Sequence, residues 1–162
     1  MARTGPSALQ QARWLALGVP AVLLGGAYVS EYGFGLYPCE LCWWQRYAHF
    51  AALALALAAF ALPRSRWPVA LAALAIAASA GMGLFHAGVE YHWWDGLTAC
   101  TSTADLGHAN PLDAIWAAPL IRCDQPQWTL LGISLAGFNF LLSGLGAACI
   151  ARLLARSRKV QP

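Results

Sequence analysis

Four long stretches without a charged side chain constrain this chain more than any other feature of its sequence. They cover residues 14–30, 47–62, 67–89 and 125–151. A helix of roughly 20 apolar residues crosses a bilayer core about 30 Å thick. Only 10% of the residues are charged, whereas soluble domains carry about 25%. The sequence therefore predicts one all-α membrane domain over residues 1–162, a four-transmembrane-helix bundle with spans at about 14–33, 43–62, 68–88 and 127–150.

The charged residues between the spans predict the orientation. Eight of the ten Lys and Arg residues lie before the first span, between the second and third, or after the fourth. Lys and Arg concentrate on the cytoplasmic side of membrane proteins, so both termini are predicted there, with outer loops at about 34–42 and 89–126. The basic residues do not cluster with aromatic ones as in nucleic-acid sites. The outer side holds all seven acidic residues: Glu31, Glu40, Glu90, Asp95, Asp105, Asp113 and Asp124.

The second outer loop carries a helix signal of its own. Asn110 followed by Pro111 resembles an N-cap and a first helical residue. Leu112, Ile115 and Trp116 then share one helical face. The pattern predicts a short amphipathic helix on the outer membrane surface, and an irregular loop is the alternative.

Five cysteines fall on the two sides of this topology. Cys39, Cys42, Cys100 and Cys123 lie outside, and Cys149 lies near the inner end of the fourth span. Disulfides persist outside the cytoplasm and are rare within it. We therefore expect the four outer cysteines to pair and Cys149 to act as a small apolar filler. Of the three pairings that four cysteines allow, the positions favour Cys39–Cys42 and Cys100–Cys123, with exchange between them.

Two other uses of these cysteines remain open at this point. The ring closed by Cys100–Cys123 would add roughly 3 kcal/mol to a purely structural loop. That explanation suits Cys39–Cys42 poorly, because a two-residue spacer constrains little chain. Paired C-x-x-C motifs would indicate zinc, but only Cys39 and Cys42 have this spacing.

The surroundings of Cys42 favour a reactive sulfur. Cys42 lies where the second span begins, so the positive end of a helix dipole faces its thiol. Arg46 follows one turn later on the same side. Both effects favour the thiolate over the thiol. The alternative for Arg46 is an interfacial side chain that extends to the lipid headgroups.

These residues resemble a known family. The run Tyr37-Pro38-Cys39-Glu40-Leu41-Cys42, followed by Arg46, resembles the Pro-Cys-x-x-Cys…Arg motif of the disulfide bond formation protein B (DsbB) family. The outer loop is similar too, with a Trp-rich stretch before Cys100, then Cys123, then Pro126-Gln127-Trp128. The resemblance covers essentially the whole chain.

The resemblance implies an enzyme of the bacterial inner membrane with its cysteine loops in the periplasm. Cys100–Cys123 would accept electrons from a reduced thioredoxin-like oxidase of the DsbA type, with Cys100 forming the mixed disulfide. Exchange would pass the electrons to Cys39–Cys42. The Cys42 thiolate would then meet a bound ubiquinone or menaquinone, polarised by Arg46.

Two histidines are candidates to hydrogen-bond a quinone oxygen or to relay a proton. His86 lies one turn before Glu90 and falls close to a family histidine beside the quinone. His49 continues the stripe of Cys42 and Arg46, although a polar contact between helices is the alternative for it, as for the mid-span Asn139. Competing functions are a membrane scaffold with structural bridges and a reductase of the vitamin K epoxide type, in which the C-x-x-C lies near a later span.

Overall fold

The computed structural model describes residues 7–63, 65–97, 101–102 and 120–158. Two antiparallel pairs of two-residue strands occur among these residues, Thr101–Ser102 with Leu120–Ile121 and Thr129–Leu130 with Ile133–Ser134. The rest of the described regular structure is helical. The elements are α1 (Ala8–Phe34), α2 (Glu40–Ala61), α3 (Trp67–Glu90), β1 (Thr101–Ser102), β2 (Leu120–Ile121), β3 (Thr129–Leu130), β4 (Ile133–Ser134) and α4 (Leu135–Arg158).

The four helices form a closed bundle in which each helix packs mainly against two neighbours, and α1 also contacts α3. Helices α1, α3 and α4 are long and apolar enough to cross a membrane. Helix α2 is more polar because it carries Gln45, Arg46 and His49, and all three side chains point into the bundle with at most 6% exposure. The fold is that of a multi-pass helical membrane protein.

The bundle has a different interior at each end. One end is packed with small residues, which let helix backbones approach closely in a membrane. The other end, where α2 begins and α3 ends, buries Cys39, Leu41, Val89, Ile121 and Cys123. The small-residue core comprises Ala12, Ala16, Ala52, Ala56, Ala59, Val69, Ala72, Ala73, Ile76 and Ile150.

A tight turn between α1 and α2 places the first two cysteines. Helix α1 ends at Gly35, whose φ of 67° lies in the left-handed region that glycine adopts without strain. Cys39 is the N-cap of α2, and its Sγ accepts a hydrogen bond from the Cys42 backbone N–H at 3.4 Å. Cys42 is therefore held in the first turn of α2, as the sequence predicts.

The fourth helix differs from the predicted span, which starts at about residue 127. Helix α4 begins at Leu135, because residues 129–134 form the β3–β4 hairpin. Leu131 and Gly132 turn this hairpin with φ values of 53° and 77°, which an α-helix does not tolerate. The amphipathic helix predicted from Asn110 onward lies outside the described residues.

Gly83 sets the contact between α3 and α4. A Cβ at this position would lie 2.9 Å from Asn139 Nδ2 and 3.0 Å from the Ala136 carbonyl oxygen. We expect Gly83→Ala to destabilise the bundle by about 1–3 kcal/mol, because the backbones must separate. Gly81→Ala on the same helix is the matched control, since it meets no atom within 4 Å. Thermal unfolding in detergent compares the two, and equal stabilities would contradict the close approach.

Candidate active site

Cys39 and Cys42 form the centre of the site. Their Sγ atoms are 3.2 Å apart, beyond the bonding distance of about 2.05 Å, so the structure describes them as thiols. Cys39 is 1% exposed. Cys42 is half-buried and lines a cavity. Cys39 also lines this cavity, but Cys42 is the more exposed of the two residues and is therefore more accessible to a ligand there.

Cys123 lies at the same place, although it is far from Cys39 in the sequence. One ligand atom each from Cys39, Cys123 and His86 lie within 4.8 Å of one another, and all three residues are buried. The sequence pairs Cys123 with Cys100, which lies outside the described residues. The structure shows that Cys39 is a second neighbour of Cys123, which the spacing of the cysteines in the sequence does not reveal. Sulfurs at this separation are close enough for thiol–disulfide exchange after a small movement.

The residues on either side of Cys123 form an ion pair. Arg122 donates two hydrogen bonds to Asp124, at 2.8 and 2.5 Å. The guanidinium lowers the pKa of Asp124 to about 2. The carboxylate therefore stays ionised at every pH at which thiol exchange is practical. Because the two side chains are 39% and 40% exposed, solvent screens the pair and its contribution to stability is small.

Gln45 fixes the tautomer of His86. The Gln45 Nε2 lies 3.0 Å from the Leu41 carbonyl oxygen, which can only accept, so the amide nitrogen faces that way. The same Nε2 lies 3.0 Å from His86 Nδ1, which must therefore accept. The proton of a neutral His86 then sits on Nε2, which is 3.5 Å from Cys39 Sγ.

This tautomer determines what His86 offers to the sulfurs. Its Nε2–H points toward Cys39, while Nδ1 is 4.0 Å from Cys42 Sγ. The Nε2–H group can donate a hydrogen bond to a thiolate. A metal ion at Nε2 would instead need a lone pair on that nitrogen. Glu90 Oε1 lies 3.6 Å from the same Nε2, and Glu90 Oε2 is buried without a hydrogen-bond partner among the described residues. The cluster is thus arranged for sulfur chemistry.

Arg46 is held more firmly than the sequence suggests. Its guanidinium pairs with Glu31 of α1 at 2.5 Å and donates to the Ala27 carbonyl oxygen at 3.2 Å. The rings of Tyr28 and Trp43 lie 4.9 and 5.0 Å from it. Among the described residues its hydrogen bonds go to α1 and not to Cys42. The sequence places Arg46 on the same side of the helix as Cys42, and the structure adds a buried carboxylate partner, Glu31, that the sequence did not reveal.

A cavity of about 470 Å³ joins Cys42 and Arg46 to the bundle interior, a size usual for small-molecule sites. Most of its wall is apolar and comes from α1, α2 and α4. His86, Glu90 and Gln45 line it near the cysteines, and His49 and Asn139 also line it. His49 Nε2 contacts Asn139 Oδ1 at 2.9 Å, which confirms the predicted polar contact between helices.

Comparison with known proteins assigns the chain to a family. The family model described as disulfide bond formation protein DsbB matches residues 10–153. This chain belongs to the DsbB family. As a DsbB-family member with several apolar helices, it is a membrane protein of disulfide bond formation, and the resemblance of its cysteine motifs is confirmed.

The individual relatives are distant but cover most of the chain. Disulfide bond formation protein B of Verminephrobacter eiseniae is 31% identical, over 88% of this chain and 83% of the relative. The protein of the same name from Actinobacillus pleuropneumoniae is 28% identical, over 95% and 91%. An uncharacterized protein of Rickettsia prowazekii is 25% identical, over 77% and 76%. No solved structure gives a significant match to this DsbB-family chain.

The site contains residues that sequence reasoning missed. It brings together Cys39, Cys42, Cys123 and His86, four of the predicted site residues, and Arg46 shares their cavity. The partners that orient them were not predicted. Acidic or amide side chains near the outer ends of the spans were the available signal, and the residues are Glu31, Gln45 and Glu90.

Proposed function

We propose that this protein is a quinone-dependent thiol–disulfide oxidoreductase that reoxidises a periplasmic DsbA-type oxidase and passes the electrons to a membrane quinone. One observation carries the proposal. Cys123 of the long loop lies beside Cys39, and Cys42, the partner of Cys39, opens into a largely apolar cavity. This arrangement links an external thiol partner to a lipid-soluble acceptor.

Electrons enter at the outer disulfide. A thiolate of the reduced partner attacks Cys100 in the Cys100–Cys123 bond, forming a mixed disulfide and releasing Cys123 as a thiolate. The second partner thiol resolves the mixed disulfide, so the partner leaves oxidised. Two electrons now reside on Cys100 and Cys123.

Exchange at Cys39 moves the electrons inward. The Cys123 thiolate attacks Cys39 in the Cys39–Cys42 bond, and Cys42 leaves as a thiolate at the positive end of α2. The Cys100 thiolate then attacks Cys123, which restores Cys100–Cys123 and frees Cys39. The net result is one reduced Cys39/Cys42 pair for each oxidised partner. The His86 Nε2–H, 3.5 Å from Cys39 Sγ, stabilises negative charge on these sulfurs.

The cavity fits a quinone. Its wall is mostly apolar with few polar groups, and it contains a buried hydrogen-bond acceptor, His49 Nδ1, that has no partner among the described residues. Arg46 would hold the polar ring and Cys42 would adjoin it. When bound, ubiquinone or menaquinone supplies the acceptor for two electrons and two protons. Cys42 donates from the cavity wall, and closure of the Cys39–Cys42 disulfide completes the cycle.

The energetics require an acceptor of this kind. A DsbA-type couple has a potential of about −120 mV, well above the glutathione pool. Each 30 mV between donor and acceptor is worth about 1.4 kcal/mol for two electrons. A quinone supplies a sufficiently high potential and resides in the bilayer, where the cavity lies.

The topology proposed with this function has four spans, with α2 as the fourth membrane-crossing helix. Both termini face the cytoplasm of a bacterial inner membrane, and the cysteine loops face the periplasm. Support comes from the charge distribution and from the burial of the polar residues of α2. Reporter fusions at the two termini and in the long loop test it, and a periplasmic signal from a terminus would contradict it.

The function is tested with purified protein, a reduced DsbA-type oxidase and short-chain ubiquinone or menaquinone analogues, under anaerobic conditions. We expect one quinone reduced per partner disulfide formed, monitored by absorbance and thiol counting. A scaffold with structural bridges would show no turnover. Absence of reduction with both quinones would contradict the proposal.

Gln45 offers a prediction for the exchange step. Gln45→Leu removes the donor to His86 Nδ1 and frees the ring to adopt the other tautomer. We expect single-turnover oxidation of the reduced partner, without quinone, to slow about tenfold, the value of one net hydrogen bond. The difference in rate between the variant and the unmodified protein should narrow as pH rises, because the thiolates then form without the hydrogen bond from His86. Gln10→Leu at the other end of the molecule is the matched control, and a rate unchanged by Gln45→Leu would exclude this role.

A further inference from the structure

The interior end of the cavity contains an oriented hydrogen-bond network. Asn139 Nδ2 lies 3.1 Å from the Ser79 carbonyl oxygen, which can only accept, and 2.8 Å from Gln45 Oε1. These contacts fix the amide with its nitrogen toward Ser79 and Gln45. Asn139 Oδ1 therefore faces the opposite way, toward His49 Nε2 at 2.9 Å and the Ser143 hydroxyl at 2.9 Å.

The network determines the tautomer of His49. Because Asn139 Oδ1 accepts, His49 Nε2 carries the proton, and the Nδ1 of the neutral ring is a bare acceptor. His49 is 3% exposed and lines the cavity. Its Nδ1 is buried without a partner among the described residues. Burying an acceptor without a hydrogen-bond donor costs free energy, and a ligand that supplies the donor removes this cost.

The position of His49 limits which donor can reach its Nδ1. His49 lies seven residues after Cys42 on α2, roughly 10 Å further along the helix axis. Arg46 lies between them, and its charge is balanced by Glu31. The apolar wall favours a lipophilic ligand with polar groups at its ends. An oxidised quinone has only carbonyl acceptors, whereas its two-electron-reduced form has hydroxyl donors.

We infer that His49 Nδ1 accepts a hydrogen bond from the hydroxyl of a hydroquinone, so that the cavity binds the reduced form more tightly than the oxidised form. The inference rests on the proposed function and adds a specificity-determining residue to it. Preferential binding of the reduced form raises the potential of the bound couple, by about 30 mV for each tenfold preference. The higher potential makes electron transfer from Cys42 to the bound quinone more favourable.

The network also suggests how the preference is maintained. Neither amide can rotate without losing a bond to a backbone carbonyl, from Asn139 to Ser79 or from Gln45 to Leu41. The donor side of His49 therefore stays directed at α4, and the acceptor side stays available. His86 and His49 show the same design, each with one ring nitrogen engaged by a fixed amide.

Ligand affinities test the inference without turnover. In the full-length Cys42→Ser protein, dissociation constants are measured for a short-chain ubiquinone analogue, its hydroquinone and the dimethyl ether of that hydroquinone, which lacks O–H donors. We expect the hydroquinone to bind most tightly. The ether should bind about tenfold more weakly than the hydroquinone, reflecting one hydrogen bond. An ether that binds as tightly as the hydroquinone would overturn the inference.

Two variants locate the effect at position 49. His49→Phe fills the space but removes the acceptor, and should weaken hydroquinone binding about tenfold while leaving quinone binding nearly unchanged. His49→Gln retains a donor for Asn139 and an acceptor for the ligand, and should preserve the preference. Equal losses for both ligands in His49→Phe would overturn the inference alone. Failure of the unmodified cavity to bind any of the ligands would overturn the proposed function as well.

Discussion

Cys42→Ser is expected to abolish quinone reduction by the reduced partner, lowering the rate by more than about 1,000-fold, the scale associated with loss of a covalent nucleophile. Without Cys42 no Cys39–Cys42 bond exists for Cys123 to attack, and the more exposed sulfur of the cavity wall is lost. The measurement is the steady-state rate with a saturating ubiquinone analogue. Cys149→Ser, in the second half of α4, is the matched control and should retain full activity.

The same variant separates the two halves of the relay. Reduced partner should still form a mixed disulfide at Cys100, because that step requires only the outer pair. Gel shift after acid quenching reports this adduct. Normal quinone reduction in Cys42→Ser would show that another group delivers the electrons, and the route through Cys39 and Cys42 would be abandoned.

The second large effect concerns Arg46. Arg46→Met should destabilise the protein by about 3–5 kcal/mol, because it leaves the Glu31 carboxylate buried without its partner. Glu31 and Arg46 have side-chain exposures of only 12% and 7%, so solvent cannot compensate. Unfolding in detergent measures the loss. Quinone affinity should fall too, since the guanidinium of Arg46 lines the cavity.

A double variant distinguishes stability from binding. Glu31→Gln combined with Arg46→Met removes both charges, and replacing a whole buried pair is often nearly neutral. We expect this variant to recover most of the stability but not the quinone affinity. Recovery of both properties would mean that Arg46 acts only as a structural partner of Glu31.

The sequence was sufficient for the features that depend on local pattern. Uncharged stretches, the cysteine spacing and the position of Cys42 at a helix start predicted a helical membrane bundle of the DsbB family. Helix α4 was placed too early because residues 127–134 are uncharged like the span itself, and the left-handed φ of Leu131 is not readable from composition.

Tertiary contacts of the site lay beyond sequence reasoning. Cys123 lies close to Cys39 although the two are far apart in the sequence, and their separation along the chain does not reveal this contact. The partner of Arg46 is on another helix, 15 positions earlier. The orientations of Gln45 and Asn139 depend on backbone carbonyls of Leu41 and Ser79, which appear only when the helices are packed.

The most direct test of the account is the alkylation rate of Cys42 in the reduced protein, resolved by peptide mass spectrometry, with and without a saturating ubiquinone analogue. We expect Cys42 to react rapidly at neutral pH and to be protected by the analogue, while the alkylation rate of Cys149 is unaffected by it. A Cys42 that reacts like an ordinary free thiol, at a rate unchanged by the analogue, would contradict it.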